Sequence, residues 1–188
     1  NYFIKYGNYL SKVIQSIDKK EILSFEKKLQ SLRNSDANIF VFGNGGAAST
    51  AITMTNDLGF DILKKTKKKP FKFICLNENQ SVITAIGNDV GYENIYSEQL
   101  AVSGRVGDVL IVFSGSGNSQ NNINAIHTAH SRGMRTAAIL GYDGGVCKQV
   151  VGLPIHFNIA DMQVAEDLQL TVGHMVMNWL KKEIVEVQ

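Results

Sequence analysis

The stretch Asp108-Val-Leu-Ile-Val-Phe-Ser-Gly115 decides the fold class of this chain. It is a short, uninterrupted apolar run that ends in Ser and Gly, which is the pattern of a strand buried on both faces of a parallel sheet. Short apolar runs of the same kind recur over residues 38–43, 71–76, 135–141 and 153–158. The chain therefore supplies five candidate strands for one sheet.

Helical patterns separate most of these strands. They cover residues of about 46–58, 81–101, 118–132 and 144–149, and the second of them is interrupted near residues 87–91. Strands that alternate with helices form right-handed crossovers, which place helices on both faces of a parallel sheet. We therefore predict an α/β fold with a single doubly wound, five-stranded parallel sheet of the flavodoxin type.

Helices also precede and follow the predicted sheet. Residues 1–35 contain two amphipathic segments, and residues of about 161–184 form a long helix whose apolar side chains cover more than one face. A helix that is apolar nearly all round is buried, so we expect this one to pack on the sheet and also on a partner subunit. No linker or repeat divides the chain, which predicts a single domain over residues 1–188 with residues 1–35 as a helical N-terminal extension packed on it.

The overall charge and hydropathy argue against two classes of partner. The chain has 19 Lys and Arg against 17 Asp and Glu, and its net charge of +2 is too small to favour nucleic acid. No segment approaches the ~20 apolar residues that span a bilayer, which disfavours a membrane. Cys75 and Cys147 lack the spacing of a metal or redox motif and predict free thiols in a reducing compartment. We therefore expect a cytoplasmic protein.

Two strand ends carry the residues best suited to binding a ligand. The first is Phe42-Gly-Asn-Gly-Gly46, and the second is Ser114-Gly-Ser-Gly-Asn-Ser119. Each opens a predicted helix, and a glycine-rich turn before a helix N-terminus forms an anion site. The hydroxyls of Ser114, Ser116 and Ser119 add donors that suit phosphate oxygens. The two loops therefore predict a site for a phosphorylated ligand.

Other interpretations remain open at these loops. The chain has no GxxxxGK[ST] motif and hence no P-loop lysine. Gly43-Asn-Gly-Gly46 followed by Ala48 matches the GxGxxA form of a dinucleotide site, for which Asp61 is the acidic residue about 20 positions further on. A Gly-rich turn is also a common tight connection. A third segment, Gly87-Asn88-Asp89, is typical of a turn or a helix cap unless all three loops meet at one edge of the sheet.

Candidate acid–base residues lie on two predicted helices. Asp57 is one helical turn beyond Thr53, and Glu166 and His174 lie on the C-terminal helix. The carboxylates are equally typical of helix ends and surfaces, and His174 is typical of a hydrogen-bonded core histidine.

The two loops together resemble the signature loops of sugar isomerase (SIS) domains, and the likeness extends over nearly the whole chain. More narrowly, the chain resembles the phosphoheptose isomerases, which interconvert sedoheptulose 7-phosphate and D-glycero-D-manno-heptose 7-phosphate in heptose biosynthesis. The resemblance implies an SIS fold, a sugar phosphate substrate and a homotetramer with active sites between subunits. It places the phosphate and the sugar on Ser114, Gly115, Ser116, Ser119, Asn44, Gly45, Gly46, Asn88 and Asp89.

The chain departs from the family at residues that the resemblance marks as zinc ligands. Thr53 and Asp57 stand where the family usually has His and Glu, and Glu166 and His174 stand where it has Gln and His. Asp57, Glu166 and His174 are still able to hold a divalent metal such as zinc. Eight helical residues span about 12 Å, so Glu166 and His174 of one straight helix cannot ligate the same ion. A shared metal would need side chains from two subunits.

The resemblance also implies an aldose–ketose isomerase that works through a cis-enediol. We expect Asp57, Glu166 and His174 to be its catalytic residues, with Asp57 or Glu166 as the carboxylate and His174 as its partner. The loss of His at position 53 also fits a second function class, a non-catalytic SIS protein that binds a sugar phosphate and regulates a protein partner.

Overall fold

The five apolar runs form one sheet in which neighbouring strands are parallel. In this computed structural model, which describes residues 1–33 and 35–186, the strands are β1 (Asn38–Gly43), β2 (Lys72–Cys75), β3 (Val109–Ser114), β4 (Arg135–Leu140) and β5 (Pro154–His156). Their order across the sheet is β2-β1-β3-β4-β5. The order reverses between β1 and β3, and ligands of doubly wound sheets bind beside such a switch point.

Helices cover both faces of the sheet. They are α1 (Tyr2–Gln15), α2 (Lys19–Leu32), α3 (Gly46–Thr55), α4 (Ile62–Thr66), α5 (Gln80–Asp89), α6 (Ser97–Ser103), α7 (Gln120–Ser131), α8 (Gly145–Val150) and α9 (Met162–Glu186). Side chains of β1 alternate between two cores. Ile39 and Val41 pack with α2, α3 and α9, whereas Phe40 and Phe42 pack with α6 and α7. This arrangement confirms the predicted doubly wound α/β fold with its leading helices and long C-terminal helix.

Two of the predicted helices are divided. The helix after β1 was expected to run to about residue 58, but α3 ends at Thr55, and a π-helical turn over Asn56–Asp61 follows before α4. Such turns are frequent at functional sites. The predicted break in the helix after β2 is confirmed, since a 3₁₀ turn over Tyr92–Asn94 separates α5 from α6.

The two leading helices are buried to different degrees. Phe25 and Leu29 of α2 are buried in the core, whereas α1 has no buried residue. The Tyr6 hydroxyl of α1 donates to Asp167 of α9 over 2.6 Å, and this hydrogen bond raises the pKa of the Tyr6 phenol to about 12. α1 therefore lies against α9 and leaves exposed the side chains of Tyr2, Phe3 and Ile4.

The long helix α9 packs across one face of the sheet. Its buried side chains include Val164, Ala165, Leu168, Val172, Val176 and Leu180. α9 approaches α3 closely at Gly173, because a Cβ there would overlap the thioether of Met54. Among the described residues, no helix combines the length and apolar character needed to cross a membrane. Residue 34 and residues 187–188 of the predicted domain lie outside the described residues.

Candidate active site

The first Gly-rich loop makes a sharp turn between β1 and α3. Gly45 has a φ of +59°, in the left-handed region that glycine adopts at little cost, and α3 begins at Gly46. A Cβ at Gly46 would overlap the carboxylate of Glu166, so this α9 side chain lies directly against the first residue of α3. The carboxylate thus lies at the positive end of the α3 dipole. The sequence predicts an anion site at this helix end, but in the structure an acidic side chain of the protein already lies there.

The serine loop, Ser114–Ser119, connects β3 to α7. Ser114 accepts a hydrogen bond from the N–H of Gly117 over 3.0 Å, and Ser116 accepts one from the N–H of Asn118 over 3.2 Å. These bonds curl the loop on itself. Ser119 directly precedes α7, and its hydroxyl makes no capping bond to that helix. The serine loop therefore presents a helix N-terminus together with serine hydroxyls that can still donate.

The helix α8 supports the serine loop. The N–H of Cys147 donates to the carbonyl of Gly117 over 2.9 Å, and the N–H of Val146 donates to the side-chain oxygen of Asn118 over 3.0 Å. Cys147 is fully buried, and burial raises the pKa of its thiol to about 11. This cysteine is therefore a packing group rather than a nucleophile.

A pair of asparagines joins the two loops. Nδ2 of Asn44 donates to Oδ1 of Asn121 over 2.9 Å, and Nδ2 of Asn121 donates back to Oδ1 of Asn44 over 3.0 Å. Asn121 lies in the first turn of α7, immediately after the serine loop. The reciprocal amide pair therefore holds the two loops together at the carboxyl edge of the sheet.

Asp57 and His174 form a carboxylate–imidazole pair within one chain. Oδ2 of Asp57 lies 3.2 Å from Nε2 of His174, and Oδ1 of Asp57 accepts from the side-chain amide of Asn56 over 3.1 Å. The side chain of Asp57 is 11% exposed and that of His174 is 45% exposed. His174 is therefore not the buried core histidine that was the alternative interpretation. A carboxylate at Nε2 favours the tautomer that carries its proton there, which leaves Nδ1 free to accept a proton.

The other predicted metal ligands do not gather around this pair. The hydroxyl of Thr53 donates to the carbonyl of Ser49 over 2.9 Å, so it is hydrogen-bonded within its own helix. The carboxylate of Glu166 lies at Gly46. Among the described residues, no group of three or more His, Cys, Asp or Glu side chains is arranged to hold a metal ion. The donors of this single chain therefore do not fit the zinc ion that the family resemblance implies.

Asn88 and Asp89 end α5 and are exposed. Nδ2 of Asn88 donates to Oδ1 of Asp89 over 2.7 Å, so the pair is bonded to itself. The hydrogen bonds of the described residues do not connect either side chain to the two loops. A role for this pair in binding the sugar stays a prediction.

Sequence reasoning missed three polar residues beside the first loop. They are Asn77, Tyr96 and Asn121, and all three are buried. Asn121 had a visible signal, since it lies two residues beyond Ser119 on the helix that the serine loop opens. Asn77 and Tyr96 lie in connections where no motif or periodicity marks a side chain as functional.

Comparisons with known proteins identify the relatives of this chain. The model of the SIS domain family matches residues 1–141. A phosphoheptose isomerase of Geotalea daltonii is 32% identical over 176 residues, which cover 92% of this chain and 91% of the relative. A probable phosphoheptose isomerase of Thermoplasma acidophilum is 34% identical over 157 residues, with coverage of 84% and 85%. The structure of a phosphoheptose isomerase from Neisseria gonorrhoeae matches with a TM-score of 0.83 and 24% identity, covers 97% of this chain and 100% of that one, and supports the fold.

Proposed function

We propose, on the premise that the chain belongs to the SIS domain family, that it is a phosphoheptose isomerase. The reaction interconverts sedoheptulose 7-phosphate and D-glycero-D-manno-heptose 7-phosphate. The observation that carries the proposal is the likeness to a phosphoheptose isomerase over nine-tenths of both chains. It is joined with the Asp57–His174 pair, which brings together two of the three residues expected to be catalytic.

The serine loop is the proposed site of the substrate phosphate. Ser116 and Ser119 are half-buried and line the N-terminal end of α7, whose dipole and free N–H groups attract an anion. The equivalent end of α3 is less suitable because the Glu166 carboxylate lies there. The sugar then extends from the serine loop toward Asn44, Gly45 and Gly46. Binding of the remote phosphate positions the reacting carbons.

His174 is the proposed group that moves the carbon-bound proton. Its Nδ1 takes the proton from C1 of the ketose, the C1–C2 enediolate forms with its charge on O2, and the same nitrogen returns the proton to C2, giving the aldose. Asp57 holds the ring through Nε2 and stabilises the imidazolium that exists between the two transfers. Glu166, at the sugar loop, is the proposed carrier of the proton that moves from the O1 hydroxyl to the O2 oxygen. Because about 12 Å of α9 separates Glu166 from His174 of the same chain, the two groups meet at one substrate from different subunits of the proposed assembly. No step is assigned to zinc, since the donors of a single chain do not fit it.

Turnover of sedoheptulose 7-phosphate by the purified protein tests this assignment. We expect turnover without added zinc and after treatment with EDTA. His174→Gln should lower kcat by about 10²–10⁴-fold, the usual contribution of a positioned acid–base group, and should abolish exchange of the C1 proton with D₂O. His127→Gln, an exposed histidine on α7, is the matched control and should leave turnover unchanged. Full activity of His174→Gln would refute the role of His174, and activity only with zinc would restore the metal.

If the protein shows no turnover, its binding of the sugar phosphate decides between the two function classes. Calorimetry with sedoheptulose 7-phosphate measures that binding separately. Tight binding without turnover would overturn the isomerase and favour the regulatory class, in which a sugar phosphate controls a protein partner.

We also propose that the protein assembles as a homotetramer with sites shared between subunits. The exposed apolar side chains of Phe3 on α1 and Met175 on α9 support this, as does the half-exposed His174 beside Met175. The free buried thiols of Cys75 and Cys147 suit a reducing compartment such as the cytoplasm. Light scattering of the purified protein at several concentrations tests the assembly, and a monomer would overturn it.

A further inference from the structure

On the side of β2, the backbone of the last residue of β1 is hydrogen-bonded by a side chain instead of by a neighbouring strand. β2 pairs with β1 only as far as Cys75, opposite Val41, so Gly43 extends past the end of its neighbour on that side. The N–H of Gly43 donates to Oδ1 of Asn77 over 3.2 Å, and Nδ2 of Asn77 donates to the carbonyl of Gly43 over 2.9 Å. The Asn77 amide thus replaces a backbone peptide and continues the sheet by one residue.

Tyr96 binds the same peptide from the start of α6. Its hydroxyl lies 2.7 Å from the carbonyl of Gly43 and 3.1 Å from Oδ1 of Asn44, and it accepts from Nδ2 of Asn77 over 2.9 Å. The ring is 2% exposed and stacks on Phe42 at a centroid distance of 3.9 Å. Burial raises the pKa of the phenol to about 12, so it remains a donor at neutral pH.

These contacts continue to the serine loop through Asn44. Oδ1 of Asn44 lies 3.1 Å from the Tyr96 hydroxyl, and the Asn44 amide exchanges hydrogen bonds with Asn121, which follows the serine loop. Two longer contacts, from the Tyr92 hydroxyl to Oδ1 and from Nδ2 to Oδ1 of Asn122, each span 3.4 Å. The chain of hydrogen bonds therefore runs from the end of β2 to the start of α7. Its members are buried except for Asn44, which is half-buried and is the one able to face a ligand.

We propose that Tyr96 and Asn77 are positioning residues that fix the side-chain amide of Asn44 and so keep the sugar loop in register with the serine loop. The inference rests on the proposed function, because Asn44 matters only if the sugar binds beside it. Neither Tyr96 nor Asn77 touches the reacting atoms. Loss of either residue should weaken the binding of the sugar but not that of the phosphate. The phosphate contacts the hydroxyls of Ser116 and Ser119 and the end of α7, none of which is bonded to Tyr96.

Tyr96→Phe tests the proposal because it removes one hydroxyl and keeps the stacked ring. Asn77 still bonds both groups of Gly43 in this variant, so the fold should be retained. We expect the dissociation constant of sedoheptulose 7-phosphate and its KM to rise about tenfold, the size of one lost hydrogen bond of about 1.4 kcal/mol. The inhibition constant of inorganic phosphate should stay within about twofold, since phosphate alone meets only the serine loop. Tyr9→Phe, an exposed tyrosine of α1, is the matched control.

A readout in the unliganded protein separates this inference from the proposed function. Tyr96→Phe should shift the side-chain amide resonances of both Asn44 and Asn121 in ¹⁵N-resolved spectra, whether or not the protein is an isomerase. Unshifted amides, or equal weakening of sugar phosphate and inorganic phosphate, would overturn the positioning role. If Tyr96→Phe produces this shift but the wild-type protein has no affinity for the heptose phosphate, the proposed substrate is overturned, and with it the role of Asn44 in binding the sugar.

Discussion

Replacing Gly117 by Ala should separate the serine loop from its support. Gly117 has a φ of +69°, and a Cβ there would overlap the carbonyl oxygen of Gly144 and lie 2.6 Å from its carbonyl carbon. Both of these atoms belong to the backbone, so neither can rotate away. The loop and the turn before α8 must move apart for the variant to fold.

Two free-energy costs determine how much stability Gly117→Ala should lose. Alanine in the left-handed region costs about 1–2 kcal/mol relative to glycine, and an extra methyl forced into a packed site costs about 1–3 kcal/mol. Gly107→Ala measures the first cost alone, because the φ of Gly107 is +90° and a Cβ there meets no atom of the described residues within 4 Å. We expect Gly117→Ala to lose about 2–5 kcal/mol of unfolding free energy and Gly107→Ala about 1–2 kcal/mol.

Urea unfolding followed by circular dichroism measures the two losses of unfolding free energy. Calorimetry with inorganic phosphate measures the affinity of the serine loop for phosphate. The affinity for phosphate should fall at least about tenfold in Gly117→Ala and remain unchanged in Gly107→Ala. Equal losses of stability would refute the overlap argument. A folded Gly117→Ala protein with unchanged phosphate affinity would show that the serine loop does not hold the phosphate.

Three further predictions address single side chains. Gly46→Ala should displace the flexible Glu166 carboxylate from the end of α3, which lowers turnover while stability changes by no more than about 1 kcal/mol, as unfolding and activity assays will show. Burial raises the thiol pKa of Cys75 and Cys147 from 9.0 to about 11, so at pH 8 the reactive thiolate is about 10²-fold scarcer than in an ordinary thiol. Rapid labelling of the native protein by iodoacetamide, followed by mass spectrometry, would contradict this. Asn122 has a buried Nδ2 without a hydrogen-bond partner among the described residues, and its Oδ1 makes a long contact of 3.4 Å with Nδ2 of Asn44. Asn122→Leu should therefore raise the unfolding free energy by about 1 kcal/mol; an unfolding free energy below that of the wild type would show that the contact with Asn44 outweighs the cost of the unpartnered amide.

The fold could be predicted because its signals are local and repeated. Each strand is an apolar run such as 109–114, and each turn to a helix is marked by Gly or Ser. The π-helical turn over Asn56–Asp61 could not be predicted in this way. Its sequence, Asn56–Asp61, has no distinctive composition or periodicity that would mark the turn. The placement of Asp57 opposite His174 is therefore a tertiary result, although both residues could be named from the sequence.

The site was predictable only where a motif carries the chemistry. The serine loop and the Gly-rich loop were visible because their residues combine backbone freedom with donors at helix ends. The network of Asn77, Tyr96 and Asn44 was not visible in the sequence. The Asn77 amide is important because it bonds the Gly43 backbone in place of a strand peptide, which only the structure shows. In the sequence Asn77 looks like any polar residue after a strand, and its role is visible only because β1 extends to Gly43, past the end of β2.

The two loops look equivalent in the sequence, but the structure gives them opposite electrostatic character. Both offer a helix N-terminus, yet α3 has the Glu166 carboxylate against its first residue, while α7 has serine hydroxyls before its first turn. A substrate with a dianionic phosphate at one end and a neutral carbonyl at the other therefore has one favourable orientation, with the phosphate at α7 and the reacting end away from the serine loop. The reciprocal bond between Asn44 and Asn121 fixes the separation of the two loops. In the proposed isomerase, charge thus sets the orientation of the substrate, and the asparagine pair sets the register of its carbons.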